Sequence, residues 1–144
     1  MIHALIVTHG LLGAELLRLV ESLLGPQQGV HIISNEDRDL EKLCDLVASH
    51  VTKDEDAILF VDFCGGSPYV ACRTVCRNAR NLAIISGVNL PMLTSFFAKR
   101  GKMDFAQLTQ TVRDDGLRGI QLVSENNSDS HKNSDHSTRS VNSF

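Results

Sequence analysis

Short, wholly apolar runs alternate along this chain with longer amphipathic stretches, a rhythm that predicts strands and helices in regular alternation. Ile2–Val7 reads as a buried strand. A helix over Leu11–Leu24 follows, with Glu15, Arg18, Glu21 and Ser22 on its wet face and Gly25-Pro26 as its stop. Val30–Ser34 is a second short strand. Over Asp39–Val51, Leu40, Leu43, Cys44 and Val47 recur at the i, i+3, i+4, i+7 spacing of one helix face. Ala57–Val61 is apolar throughout, as expected of a strand covered on both faces. Ser67 as N-cap and Pro68 as first helical residue then open a helix to about Asn78. Leu82–Ser86 is a fourth strand, and Gly87-Val88-Asn89-Leu90-Pro91 turns into a helix ending near Lys99. Asp104–Asp115 is a last helix, with Phe105, Leu108 and Val112 on one face and Gly116 as its stop. Ile120–Val123 predicts a short fifth strand. The order βαβαβαβα predicts an α/β fold: a single domain with a central, mainly parallel sheet and helices on both faces.

From Ser124 the pattern ends. Ser, Asn, Asp and His fill the remainder, with almost nothing apolar until Val141. Such a segment cannot bury enough surface to offset its ordering entropy, so 124–144 is expected to be a disordered polar tail behind a domain over 1–123.

Composition narrows the function classes. With 144 residues the chain holds one core, and a net charge of −3 gives no reason to expect nucleic-acid binding. No apolar run approaches the ~20 residues that span a bilayer. The segment Met1–Val7 lacks the basic start and the cleavage site of a secretory signal, so a soluble, cytoplasmic protein is expected. Cys44, Cys64, Cys72 and Cys76 form no C-x-x-C pair and read as reduced thiols. Cys72 and Cys76, one helical turn apart, lack further ligands at metal-site spacing and read as packing residues. No metal or cofactor is called for.

In an open parallel sheet, ligands sit beyond the carboxyl ends of the strands, where the strand order reverses. Three loops leaving such ends carry unusual residues: Thr8-His9-Gly10, Asp62-Phe63-Cys64-Gly65-Gly66-Ser67-Pro68, and the Gly87–Pro91 turn. If the first and third strands are neighbours, His9 and Asp62 project into one crevice. A neutral imidazole offers one lone-pair nitrogen to phosphorus, while its other nitrogen carries a proton that needs an acceptor. Asp62 is the candidate acceptor, fixing tautomer and orientation and stabilising the cation that forms. A transferring phosphoryl group spreads charge over three equatorial oxygens. Amides around Gly10-Leu11 and Gly66-Ser67, at helix starts, and the Ser67 hydroxyl can donate to them. Asn89 is read both as the cap of the helix at Pro91 and as a candidate site residue. Arg73, Arg77 and Arg80, at helical spacing, are a solvated face or a docking surface for an acidic partner. His3, His31 and His50 lie in no motif, and His131 and His136 sit in the tail.

With these residues in place, the chain resembles the IIA domain of the mannose-type (mannose/fructose/sorbose) sugar phosphotransferase system, over Ile2 to about Val123. The resemblance rests on Ala4-Leu5-Ile6-Val7-Thr8-His9-Gly10, on Leu59-Phe60-Val61-Asp62 with Gly65-Gly66-Ser67-Pro68, and on Gly87-Val88-Asn89-Leu90-Pro91-Met92-Leu93, in order and at matching spacing. It implies a sheet ordered 2-1-3-4 and a homodimer exchanging a C-terminal strand near Ile120–Val123. It implies a phosphotransferase component with a phosphohistidine intermediate, in which His9 accepts a phosphoryl group from HPr and passes it to a IIB partner during sugar transport. Asp62 falls on the family's active-site aspartate and Ser67 on its phosphoryl-binding serine, with Gly10 and Gly66 beside them. The implied protein does not insert into the membrane but meets a membrane permease through IIB. Two departures stand out. Many members carry an aromatic residue where this chain has Cys64, and no IIB domain follows Val123, so the acceptor is expected on a separate chain. The alternative is a stand-alone regulatory module, in which His9 phosphorylation controls partner binding through added charge rather than serving uptake.

Overall fold

An apolar run of five or six residues can be buried only if its backbone N–H and C=O groups are paired, and four such runs here pair with one another. A computed structural model of the chain describes residues 1–124; apart from Ser124, the predicted tail lies outside the described residues. The strands are β1 (His3–Thr8), β2 (Val30–Ser34), β3 (Ala57–Val61) and β4 (Leu82–Ser86). The helices are α1 (Leu12–Leu24), α2 (Leu40–Ser49), α3 (Ser67–Val75), α4 (Leu90–Lys99) and α5 (Phe105–Arg118). The sheet is parallel throughout, in the order β2-β1-β3-β4.

The period-2 alternation of the strands divides the core into two layers. Ala4 and Ile6 of β1, with Ile58 and Phe60 of β3, pack beneath α1, α4 and α5 through Val20, Leu93, Phe96, Leu108 and Val112. Leu5 and Val7, with Leu59 and Val61, pack on the opposite face against Leu43 and Val47 of α2 and Ala71 and Cys72 of α3. All eight of these strand residues are inaccessible to solvent, which is why β1 and β3 read as unbroken apolar runs.

Several element ends differ from the sequence expectation. Gly66, not Ser67, occupies the N-cap position of α3, with extended backbone and no side-chain cap; Ser67 is the first helical residue. The Ser67 hydroxyl instead accepts from Asn35. Helix α3 ends at Val75, short of Asn78, whose φ of +68° is left-handed and breaks the helical path. Gly116 does not stop α5, which continues to Arg118. A Cβ at Gly116 would lie 2.7 Å from Met92 Cε, so the glycine permits close approach of α5 to α4. Leu40, placed by periodicity on the apolar face of α2, is exposed, and Leu43 and Val47 carry that face. Ile120–Val123 forms no strand: a strand needs a neighbour to complete its hydrogen bonds, and in the single chain this segment pairs with none of the described strands.

The α4–α5 pair is also held by charge. The Asp115 carboxylate accepts from Lys99 Nζ, Ser95 Oγ and an Arg118 guanidinium N–H. The hydrogen bonds from Lys99 and Ser95, opposed by partial burial and aided by Arg118, hold its pKa far below the ordinary carboxylate range. The sign follows from linkage: a depressed folded pKa gives stability that is complete above the unfolded value of about 3.9 and is lost as pH falls toward the folded value. Asp115→Asn is therefore expected to be less stable than wild type in urea at neutral pH. The gap should narrow below about pH 4, because wild type alone loses this contribution there.

Candidate functional site

The register of the sheet builds the site. Val7 pairs with Val61 and Thr8 with Ser34, so Thr8 stands level with Asp62, and the chain leaves β1, β2 and β3 at one edge. This is also the switch point, since β2 lies on one side of β1 and β3 on the other. Thr8 is buried, and its Oγ1 accepts the Gly13 amide at 2.9 Å, anchoring the first turn of α1 onto β1. Between them, Gly10 takes a left-handed φ of +54°, which turns the chain sharply after His9.

His9 and Asp62 meet directly. Asp62 Oδ2 accepts the His9 backbone N–H at 2.8 Å and lies 2.6 Å from His9 Nδ1, while Oδ1 accepts the Phe63 amide at 3.0 Å. Burial alone would raise the Asp62 pKa; the hydrogen bonds from the His9 amide, the His9 ring and the Phe63 amide outweigh it, and the carboxyl lies below its ordinary value. An ionised carboxylate only accepts, so Nδ1 is the nitrogen that carries a proton toward it, and in the neutral ring the lone pair then lies on Nε2. Among the described residues no hydrogen bond engages Nε2. The Asp62 carboxylate is nearly covered, at 10% exposure, and the His9 ring is open at 41%, so the imidazole is reachable while the carboxylate beside it is shielded.

The other predicted residues surround this pair. A Cβ at Gly66 would lie 2.7 Å from His9 Cε1 and 2.9 Å from Phe63 Cζ, so only glycine lets this loop close on the ring. Ser67 Oγ accepts from Asn35 Nδ2 at 3.2 Å, and Asn35 Oδ1 accepts the Gly10 amide at 3.4 Å. His9, Gly10, Asp62, Gly66 and Ser67 thus converge. Asn89 does not join them: its Oδ1 caps α4 at the Met92 amide (2.9 Å), and its Nδ2 donates to Gly116 O of α5. The Gly87 turn contributes by pairing, its amide donating to Asp62 O at 3.1 Å.

Two residues escaped the sequence reading. Asn35 bridges the loops of Gly10 and Ser67, and the missed signal was its place just beyond β2, at the same sheet end as His9 and Asp62. Phe63 stacks on the His9 ring, with centroids 5.0 Å apart and planes 9° from parallel. It stands one position before Cys64, and thus supplies an aromatic wall where Cys64 has none. Cys64 itself is exposed, whereas burial pushes the Cys72 thiol up to about 12 and Cys76 up to about 11.

The fold and this site define a class, and comparison with known proteins names it. The family model described as the PTS system fructose IIA component matches residues 3–113. The mannose-specific EIIAB component of the phosphotransferase system from Escherichia coli K12 is 31% identical over 123 residues, covering 81% of this chain. The chain spans 38% of that relative's length. By fold, it is similar to phosphotransferase system component EIIA from Streptococcus agalactiae, with a TM-score of 0.79 at 22% identity, covering 84% of this chain and 96% of that one. The mannose/sorbose-specific IIA subunit from Enterococcus faecalis gives a TM-score of 0.77 at 16% identity, covering 85% and 94%. The chain belongs to the fructose/mannose-type IIA family of the phosphotransferase system. Among the described residues no helix is long and apolar enough to cross a membrane.

Both oxygens of Asp62 accept N–H groups, so Asp62→Asn must turn an amide NH2 against one of them. Nitrogen NMR above neutral pH should find Nε2 of His9 unprotonated in wild type and a mixture of tautomers in Asp62→Asn; equal mixtures in both would contradict the assigned tautomer. In a thiol-labelling time course, Cys64 should react first and Cys72 only on unfolding, with the fast phase absent from Cys64→Ser.

Proposed function

We propose that this chain is a phosphocarrier in which Nε2 of His9 accepts a phosphoryl group from phosphorylated HPr and delivers it to a histidine of a separate IIB protein. The observation that carries this reading is the His9–Asp62 pair at a strand-end crevice, in a chain of the IIA family. In the forward step the Nε2 lone pair forms a bond to phosphorus as the bond to the donor histidine breaks and that imidazole keeps the electron pair. His9 retains its Nδ1 proton throughout. The positive charge that grows on its ring is met by the Asp62 carboxylate at 2.6 Å. The reverse geometry releases the group to the acceptor, leaving the protein unchanged.

The Ser67 amide and hydroxyl are proposed to cradle the phosphoryl oxygens, joined by the Gly10 amide as it exchanges its long 3.4 Å bond to Asn35 Oδ1 for the phosphoryl group, in line with the preference of helix starts for anions. Asn35 holds Ser67 and Gly10 in mutual register, and Phe63 keeps the imidazole plane fixed. The working protein is proposed to be cytoplasmic, with no membrane insertion of its own, meeting a sugar permease through IIB. It is proposed to be a homodimer exchanging C-terminal segments. The outer edge of β4, unpaired among the described residues, and the exposure of Ile120, Leu122 and Val123 (75%, 86% and 87%) support that arrangement.

Radiolabelled phosphoenolpyruvate, with enzyme I and HPr, tests the reading. Wild type should take up an acid-labile label and His9→Ala none. Asp62→Asn should accept it about tenfold or more slowly, since it loses the tautomer control and charge of the carboxylate. Gly66→Ala should be slow while remaining folded, because its Cβ displaces the His9 ring. Absence of label on folded wild type, with an HPr control that is itself labelled, would overturn the carrier role.

A further inference from the structure

At the opposite end of the sheet, about 15 Å from His9 by strand length, three cations line a cavity of about 590 Å³. Lys53 comes from the loop between α2 and β3, and Arg77 and Arg80 from the loop between α3 and β4. Its apolar floor is Val51, Val75 and Leu82, and Asn78 and Asn81 add neutral polar groups. No acidic residue lines it.

The loops forming it are tied together. Asn81 Nδ2 donates to Thr52 O at 3.0 Å and to Glu55 O at 2.6 Å, clamping one wall to the other. The left-handed backbone of Asn78 reverses the chain after α3, so Arg77 and Arg80 border the same hollow from either side of the turn. Nearby acids do not neutralise the cations: no ion pair or side-chain hydrogen bond engages Lys53, Arg77 or Arg80 among the described residues. The Glu55 carboxylate instead faces His3 and the Thr52 hydroxyl. Arginines just past a helix end often serve its free carbonyls. Here neither guanidinium donates to a helix carbonyl among the described residues; the turn is closed by backbone bonds, Cys76 N–H to Cys72 O and Ala79 N–H to Cys76 O.

We propose that this cavity binds a small hydroxylated organic phosphate. The volume suits a metabolite-sized ligand. Two guanidiniums and an ammonium match a phosphate dianion, the asparagines match hydroxyl groups, and the floor takes a carbon skeleton. The site is independent of the phosphocarrier chemistry, yet α3 joins the two ends: Ser67 lies at its start, and Val75 at its end borders the cavity.

The full nitrogen-labelled chain, titrated with glucose 6-phosphate at about 0.15 M ionic strength, tests this by NMR, with glucose and inorganic phosphate as separate arms. Saturable shifts of amides within 51–53 and 75–82 are expected. Affinity should fall about tenfold or more in an Arg77→Ser, Arg80→Ser double variant, and also fall in Lys53→Ser, which alters the other loop alone. Circular dichroism matching wild type would show the variants folded. The proposal is overturned by shifts that never saturate, by unchanged affinity in folded variants, or by shifts confined to Thr8–Gly10 and Gly66–Ser67. Inorganic phosphate binding as tightly as the sugar phosphate would overturn the organic part, and glucose binding as tightly would overturn the anionic part.

Discussion

The parallel pairing of β1 with β3 is the constraint on which the rest depends. Because Val7 stands opposite Val61, the next residues out, Thr8 and Asp62, leave the sheet side by side, and the His9 amide falls on the Asp62 carboxylate. A slip of one residue would send the alternating side chains of β1 to the wrong faces, moving Leu5 and Val7 out of one core layer and Ala4 and Ile6 out of the other. The same burial that fixes the register therefore fixes the geometry of the polar pair at its end.

Within the site, division of labour follows from exposure. Asp62 is shielded and accepts three N–H hydrogen bonds, which favour its ionised form and fix its orientation toward His9. His9 is open on the side away from it. The glycines work at two separate problems: Gly10 supplies a left-handed turn, and Gly66 supplies missing volume. Phe63 completes the wall by stacking on the imidazole face, where exposed aromatic surface would otherwise have no local purpose.

Helix α3 connects this chemistry to the far end of the sheet. Its first residue belongs to the His9 crevice, and the turn beyond its last residue presents to a second hollow two cations that pair with none of the described acids. Its middle is anchored by Ala71 and Cys72, both fully buried against β1 and β3. A rigid element held in the core at its centre and exposed at both ends gives each end a fixed relation to the sheet.

By itself the sequence determined the elements and the residue types of the site. Apolar runs with covered faces marked the strands, and His9, Asp62, Gly66 and Ser67 stood out because their chemistry is local to strand-end loops. Tertiary contacts decided the rest. Gly116 looks like a helix stop until Met92 is packed against it, and Ser67 looks like a cap until Asn35 claims its hydroxyl. Asn35 offers only its place beyond β2 as a signal and Phe63 none, because an Asn after a strand and a Phe in a glycine loop acquire meaning only from what faces them. Ile120–Val123 has the composition of a strand, but composition provides no pairing edge. Local pattern reports what each residue prefers, whereas hydrogen-bond partners and close approaches are properties of pairs distant in the chain, and only the fold brings those pairs together.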